Sequence, residues 1–319
     1  MLIEITSPAI LPLGIVHAEG RPGLLGLTLQ HPPVQLFAQS FDGLKITGAR
    51  ADEARKHAER FYAHHKLEPH AEVEIELAIP NFVGLGSSAM LGLSLAQALA
   101  WIHKLNFEDK AGLAQLVGLE RRHALEARAF EQGGLLLVAE NGDVIRRGVI
   151  QHSNEQAWAF VFVFPKTPPG TQPALEAERL QALWEVGQHL NANATLNASL
   201  WSAVERDDIA AFASALMTIQ ELNRAALAGA GKTVTASPED QALLNIMRQH
   251  GALAYGNNPA GTGLFGLIQG DTASIKLRKH LQDHIGFFGG TVMASIADNG
   301  GARHVVKDDT LYARSLRDT

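Results

Sequence analysis

Residues 84–89, Gly-Leu-Gly-Ser-Ser-Ala, stand between a strand and a helix, and this joint constrains the fold more than any other stretch. Upstream, AEVEIELAIP alternates apolar and polar residues and stops at Pro80, as a half-buried strand does. Downstream, an apolar run continues to Trp101 and reads as a helix ending near His103. Glycine lets the backbone turn with positive φ and approach a ligand closely. The helix points its unpaired N–H groups and the positive end of its dipole back at the loop. Gly84, Leu85, Gly86, Ser87, Ser88 and Ala89 therefore make a candidate phosphate cradle. In it, the two serine hydroxyls donate to phosphate or hold a Mg2+ ion. The same spacing also suits a plain strand–turn–helix joint. The loop is not a Walker A loop, because no Gly-Lys-Ser/Thr follows, and Ala89 breaks the Gly-x-Gly-x-x-Gly pattern.

The rest of the chain alternates strands and helices as an α+β protein does. MLIEITSPAILPLGI reads as two short strands around a bend at Pro8 and Pro12. GLLGLTLQ and PVQLFAQS read as strands separated by His31-Pro32-Pro33, and LKITGA as a further strand. ADEARKHAERFYAHH carries Ala54, Ala58, Phe61 and Tyr62 on one side and reads as a surface helix. Residues 107–130 read as one helix, and GGLLLVAENGDVIRRGVI as a hairpin turning at Asn141-Gly142. WAFVFVFP is a buried strand. A loop-rich break from Pro165 to Pro173 divides the chain into units 1–165 and 166–319. The second unit opens with the helical stretches 173–190 and 194–227, then SPEDQALLNIMRQHG with Ser237 as cap and Pro238 in the first turn. It closes in β-β-α-β order, and residues 301–319 read as a solvated tail or a short final strand.

Several function classes are excluded. The 319 residues include no cysteine, so there is no disulfide framework, thiolate nucleophile or Cys-held metal, which fits a reducing cytoplasm. A formal net charge of −6 without a basic run argues against a nucleic-acid partner. No run of about 18 apolar residues occurs, so no membrane span is expected. The apolar N-terminus lacks a basic flank and a cleavage site and reads as a strand rather than a signal peptide. His64, His65, His103, His152, His189, His250, His280, His284 and His304 show no zinc spacing with nearby carboxylates, so no structural metal is expected. The sequence does not give the oligomeric state, and among soluble homo-oligomers dimers are the commonest.

The full spelling Pro80-x-x-x-Gly-Leu-Gly-Ser-Ser-Ala89 resembles the phosphate-binding motif of the GHMP kinase superfamily. SPAILPLGIVHAEGRPGLLGL, residues 7–27, is similar to that family's first motif. NPAGTGLFGL, residues 258–267, is similar to its last glycine loop, with Ala260, Gly261 and Gly263 on a turn between strands. The resemblance spans almost the whole chain. It implies a two-domain fold, ribosomal protein S5-like at the N-terminus and ferredoxin-like at the C-terminus, with the site in the cleft. It also implies ATP and Mg2+ as cofactors and a small-molecule hydroxyl as acceptor. Gly261 and Gly263 would close over the nucleotide, Ser87 would meet the metal, and Ser88 would act in catalysis. In many of these kinases an Asp seven residues before the Gly-Gly pair is the base. Here that position is Glu126, which reads equally as a surface residue paired with Arg122. His17 and Glu19 lie where the kinases carry a Gly-Glu-His-like sequence lining the substrate, and His17 reads otherwise as a turn histidine. Asn257 and Asn258 shape the last loop or reach a substrate.

Two features complicate the kinase reading. EARAFEQGGL, residues 126–135, and LMTIQELN, residues 216–223, resemble the β-ribofuranosylaminobenzene 5′-phosphate synthases. Those use phosphoribosyl pyrophosphate and 4-hydroxybenzoate, and the resemblance implies substrate contacts from Glu131, Gly133 and Gly134, beside Phe130. Position 10, where the families often place Lys or Arg, is Ile, so Arg21 or Lys166 would have to supply the cation. A phosphoryl-transferring kinase, a phosphoribosyl-using synthase and a non-catalytic phosphometabolite-binding protein all remain open.

Overall fold

The computed structural model describes residues 1–81, 83–105, 113–115, 117–119, 123–150, 154–166, 174–190, 193–232, 237–259, 261–286 and 289–307. The chain opens with β1 (Leu2–Ala18) and β2 (Arg21–Gln39), a long antiparallel pair. Pro8 and Pro12 do not divide β1. The register shifts between Ser7 and Ala9 and between Pro12 and Gly14, so each proline falls at a bulge where no ladder N–H is needed. β2 likewise runs on through His31, Pro32 and Pro33. β3 (Gly43–Gly48), α1 (Ala51–His65) and β4 (His70–Leu77) form a parallel crossover, with β4 inserted between β2 and β3.

After the glycine–serine loop comes α2 (Ser87–Ile102), buried on every face among β1, β2, α1 and the later α3. The helix expected over residues 107–130 does not form as one piece. Gly118 turns with φ 72°, and α3 (Ala124–Gln132) starts afresh. β5 (Leu135–Ala139) and β6 (Val144–Gly148) form the expected hairpin, with Gly142 at φ 89°, and β5 joins β2.

The second sheet begins at β7 (Trp158–Pro165), ahead of residue 165. Helices α4 (Ala174–Gly187), α5 (Ala194–Glu205) and α6 (Ile209–Gly229) follow. The stretch 194–227 breaks because Asp207 adopts φ 54° and Asp208 then caps α6, accepting from the Ala211 N–H at 3.0 Å. α7 (Pro238–Gln249) has the capping box its sequence announces, with Ser237 and Asp240 bonded reciprocally. β8 (Ala254–Asn257), β9 (Leu264–Gln269), α8 (Asp271–Ile285) and β10 (Gly290–Ile296) complete the sheet in the order β10-β7-β9-β8. That is the ferredoxin-like βαββαβ order, with α4 to α7 in place of the first helix.

β7 is buried on both faces, and its alternation divides the core. Trp158, Phe160, Phe162 and Phe164 join the large cluster shared with the first sheet. Ala159, Val161 and Val163 pack with Leu243, Met247, Leu277 and Leu281 under α7 and α8. Burying each such aromatic contributes about 1.5–3 kcal/mol. The last strand, β11 (Arg303–Lys307), returns to the first sheet and pairs with β1, so the two halves interlock.

Candidate active site at the glycine–serine loop

Gly84 and Gly86 both take left-handed conformations, φ 73° and φ 70°. Gly86 is the N-cap of α2, so no cap side chain occupies the amides of Ser88 and Ala89. Ile10 N–H donates to the Leu85 carbonyl at 3.2 Å, which fastens the loop to β1. The loop therefore offers uncapped first-turn amides at the positive end of a 16-residue helix.

The last glycine loop sits directly on it. A Cβ at Gly84 would lie 2.5 Å from the Gly261 nitrogen, so the two glycines meet backbone to backbone. Asn258, buried, donates through Nδ2 to the carbonyls of Val83 at 3.0 Å and Gly84 at 2.8 Å. The Arg179 guanidinium donates to the Gly261 carbonyl. Gly263 packs against Phe164 where a Cβ would lie 2.8 Å from the ring. Ala260 lies outside the described residues.

Glu126 and Ile10 face the same glycine. A Cβ at Gly86 would lie 2.6 Å from Ile10 Cγ2 and 3.1 Å from Glu126 Cγ. Glu126 is only 4% exposed, its Oε1 lies 3.7 Å from His123 Nδ1, and its Oε2 has no hydrogen-bond partner among the described residues. A buried carboxyl oxygen in that position is placed to meet a proton donor or a cation. Arg122, the partner in the surface-residue reading, lies outside the described residues. Arg21 does not replace a cation at position 10. It pairs with Asp143 at 2.9 Å, and it sits seven residues along β2 from Thr28, the partner of Ile10, roughly 20 Å at strand rise.

Glu53, on α1, is a further functional candidate, brought to the loop only by the fold. Ser88 Oγ donates to Glu53 Oε1 at 2.5 Å. Arg50 holds the other oxygen of Glu53 through Nη2 at 2.5 Å and Nε at 3.1 Å, and its Nη1 donates to the Ile79 carbonyl at 3.0 Å. Partial burial pushes the Glu53 carboxyl upward, but the Ser88 hydroxyl and Arg50 outweigh it and hold it below its ordinary range. His57 Nε2 lies 3.9 Å from Glu53 Oε1, and burial lowers that imidazole below its ordinary value. In sequence, Glu53 shows only as an acid in the first turn of a surface helix.

The remaining candidates go elsewhere. His17 Nε2 contacts the Gly187 carbonyl at 2.7 Å and lines a cavity of about 540 Å3 with His189, Asn193 and Thr195. It lies seven residues along β1 from Ile10, roughly 20 Å at strand rise. Glu131 pairs with Arg128 at 2.8 Å. Gly133 and Gly134, at φ 63° and 91°, seat the turn before β11: Gly134 N–H donates to the Asp298 carbonyl at 2.6 Å, and Gly301 leaves no room for a Cβ on Gly133.

Magnesium fits the donors present. The site supplies oxygens, from two serine hydroxyls and the carboxyl group of Glu126, which suits a hard cation. Among the described residues no cluster of three or more His, Asp or Glu side chains forms a metal site by itself.

The fold is that of the GHMP kinases. Residues 52–133, which span α1 to the start of the Gly133-Gly134 turn, match the family described as GHMP kinases N terminal domain. Homoserine kinase from Cytophaga hutchinsonii superposes with a TM-score of 0.64 at 16% identity, covering 95% of this chain and 97% of that one. Mevalonate kinase from L. major, solved with R-mevalonate, gives 0.68 at 12% identity, covering 93% and 96%. Mevalonate diphosphate decarboxylase from Enterococcus faecalis gives 0.64 at 15% identity, covering 96% and 99%. No curated protein matches the sequence significantly. Among the described residues no helix is long and apolar enough to cross a membrane.

Proposed function

We propose that this chain is a Mg2+- and ATP-dependent kinase that transfers a phosphoryl group to the hydroxyl of a small molecule. The observation that carries the reading is the uncapped N-terminus of α2, bordered at Gly86 by the buried carboxyl group of Glu126, whose Oε2 has no hydrogen-bond partner among the described residues. The loop amides bind the nucleotide phosphates, with the α2 dipole stabilising their charge. Gly261 and Gly263 close the site from the second half, and Asn258 fixes the spacing of the two loops. Glu126 orients the acceptor hydroxyl and takes its proton as the oxygen attacks the terminal phosphorus and ADP leaves. Magnesium, when bound with ATP, neutralises charge on the transferring group. With Ile10 at the position of the usual cation, this chain relies on positioning, the helix terminus and the metal for that neutralisation.

The Phe130-Glu131-x-Gly133-Gly134 stretch makes contacts within the chain, to Arg128 and to the turn before β11, so no feature of it favours the synthase reading. The test is ADP release with Mg2+ and ATP over a panel of hydroxyl metabolites that begins with homoserine and mevalonate. Acceptor-dependent ADP release, lowered by Glu126→Gln, supports the kinase. Pyrophosphate release that needs both phosphoribosyl pyrophosphate and 4-hydroxybenzoate replaces it with the synthase. Nucleotide binding without turnover of any donor leaves the non-catalytic binding protein.

A further inference from the structure

A serine hydroxyl has one proton to give and two lone pairs with which to accept. Ser88 spends its proton on Glu53, in a 2.5 Å bond to an ionised carboxylate. Glu53 cannot swing away freely, because Arg50 grips its other oxygen and is itself tied to the Ile79 carbonyl, just ahead of the loop. Phosphate oxygens at neutral pH accept hydrogen bonds, so they have nothing to take from a hydroxyl committed in this way. What Ser88 Oγ presents to the site is its lone pairs, and a divalent cation is the partner that uses them. The backbone N–H groups of Ser88 and Ala89 remain donors for phosphate.

We propose that Glu53 is a positioning residue that fixes the Ser88 hydroxyl as an acceptor for the divalent cation accompanying the nucleotide. Glu53 also adds negative charge one shell beyond the ion, which strengthens the hold of Ser88 on it. The inference rests on the kinase reading and adds a residue that lies 35 positions from its partner in sequence.

The test measures ADP affinity by calorimetry, with magnesium in excess and with EDTA, for the full-length protein and its variants. Wild type binds ADP more tightly with magnesium. Glu53→Ala keeps the EDTA affinity and loses about 10–100-fold of the magnesium enhancement. Ser88→Ala loses a similar factor, and the double variant loses little more, because both act through one contact. Glu53→Gln retains an acceptor for the Ser88 proton and keeps part of the enhancement. An unchanged enhancement in Glu53→Ala, or equal weakening with and without magnesium, overturns the inference and leaves the kinase reading standing. Absence of ADP binding by wild type under both conditions overturns the kinase reading and this inference with it. Should Glu53→Ala fail to fold, Ser88→Ala decides, since it leaves the Arg50–Glu53 pair in place.

Discussion

Glu126 keeps a carboxyl oxygen buried without a hydrogen bond among the described residues, and its removal should separate stability from activity. Glu126→Gln replaces a buried carboxyl group with an amide of the same shape, so the melting temperature should hold, while kcat falls about 10²–10⁴-fold. Unfolding and turnover measured on one preparation check both halves. A fall in melting temperature without loss of turnover would make Glu126 a structural residue. Gly84 is constrained differently, by φ 73° and by the Gly261 backbone 2.5 Å from any Cβ. Gly84→Ala should cost about 1–3 kcal/mol in denaturant unfolding and weaken nucleotide binding as the two loops part. These residues differ in how legible they are. The glycines and Ser87–Ser88 can be read because the loop is local, and Glu126 by counting back from Gly133. Glu53 cannot be read, because its contact depends on how α1 docks against α2.

At the scale of elements, pH acts through α1 and the end of α2. Burial, the largest cause in each case, lowers the imidazoles of His57, His65 and His103 from their ordinary value of 6.5. Neighbouring His64 adds to the effect at His65, and His70 and His65 add to it at His103. A depressed folded-state value means that the unfolded chain binds protons first. Stability should therefore be full above about pH 6.5 and fall as the pH drops through the lowered values. Urea unfolding at pH 7.5 and 5.5 checks the sign, and His57→Gln should reduce the slope. The start of α7 offers a simpler test. Ser237→Ala removes half of a capping box and should cost about 0.5–2 kcal/mol by urea unfolding. Helix starts and the Asn141-Gly142 hairpin are legible because caps and turns are short-range. The continuity of β1 is not legible, because bulges opposite β2 decide what Pro8 and Pro12 do.

At the scale of the whole molecule, two sheets share one core and exchange their ends. β7 is buried on both faces, β11 pairs with β1, and Asn258 bridges the two glycine loops. The chain should therefore unfold in one transition, which coincident near- and far-ultraviolet circular dichroism curves would show. The return of β11 is not legible because its residues are mostly exposed and carry no strong apolar alternation. The central claim is that the glycine–serine loop binds the phosphates of ATP with magnesium. The most direct measurement is thermal unfolding with Mg2+ and ATP, ADP or phosphoribosyl pyrophosphate in separate samples. A ligand at about a hundred times its Kd adds roughly 2.7 kcal/mol to the folded state. Stabilisation by the adenine nucleotides, lost in Gly84→Ala, is the predicted result. Stabilisation by phosphoribosyl pyrophosphate alone would contradict it.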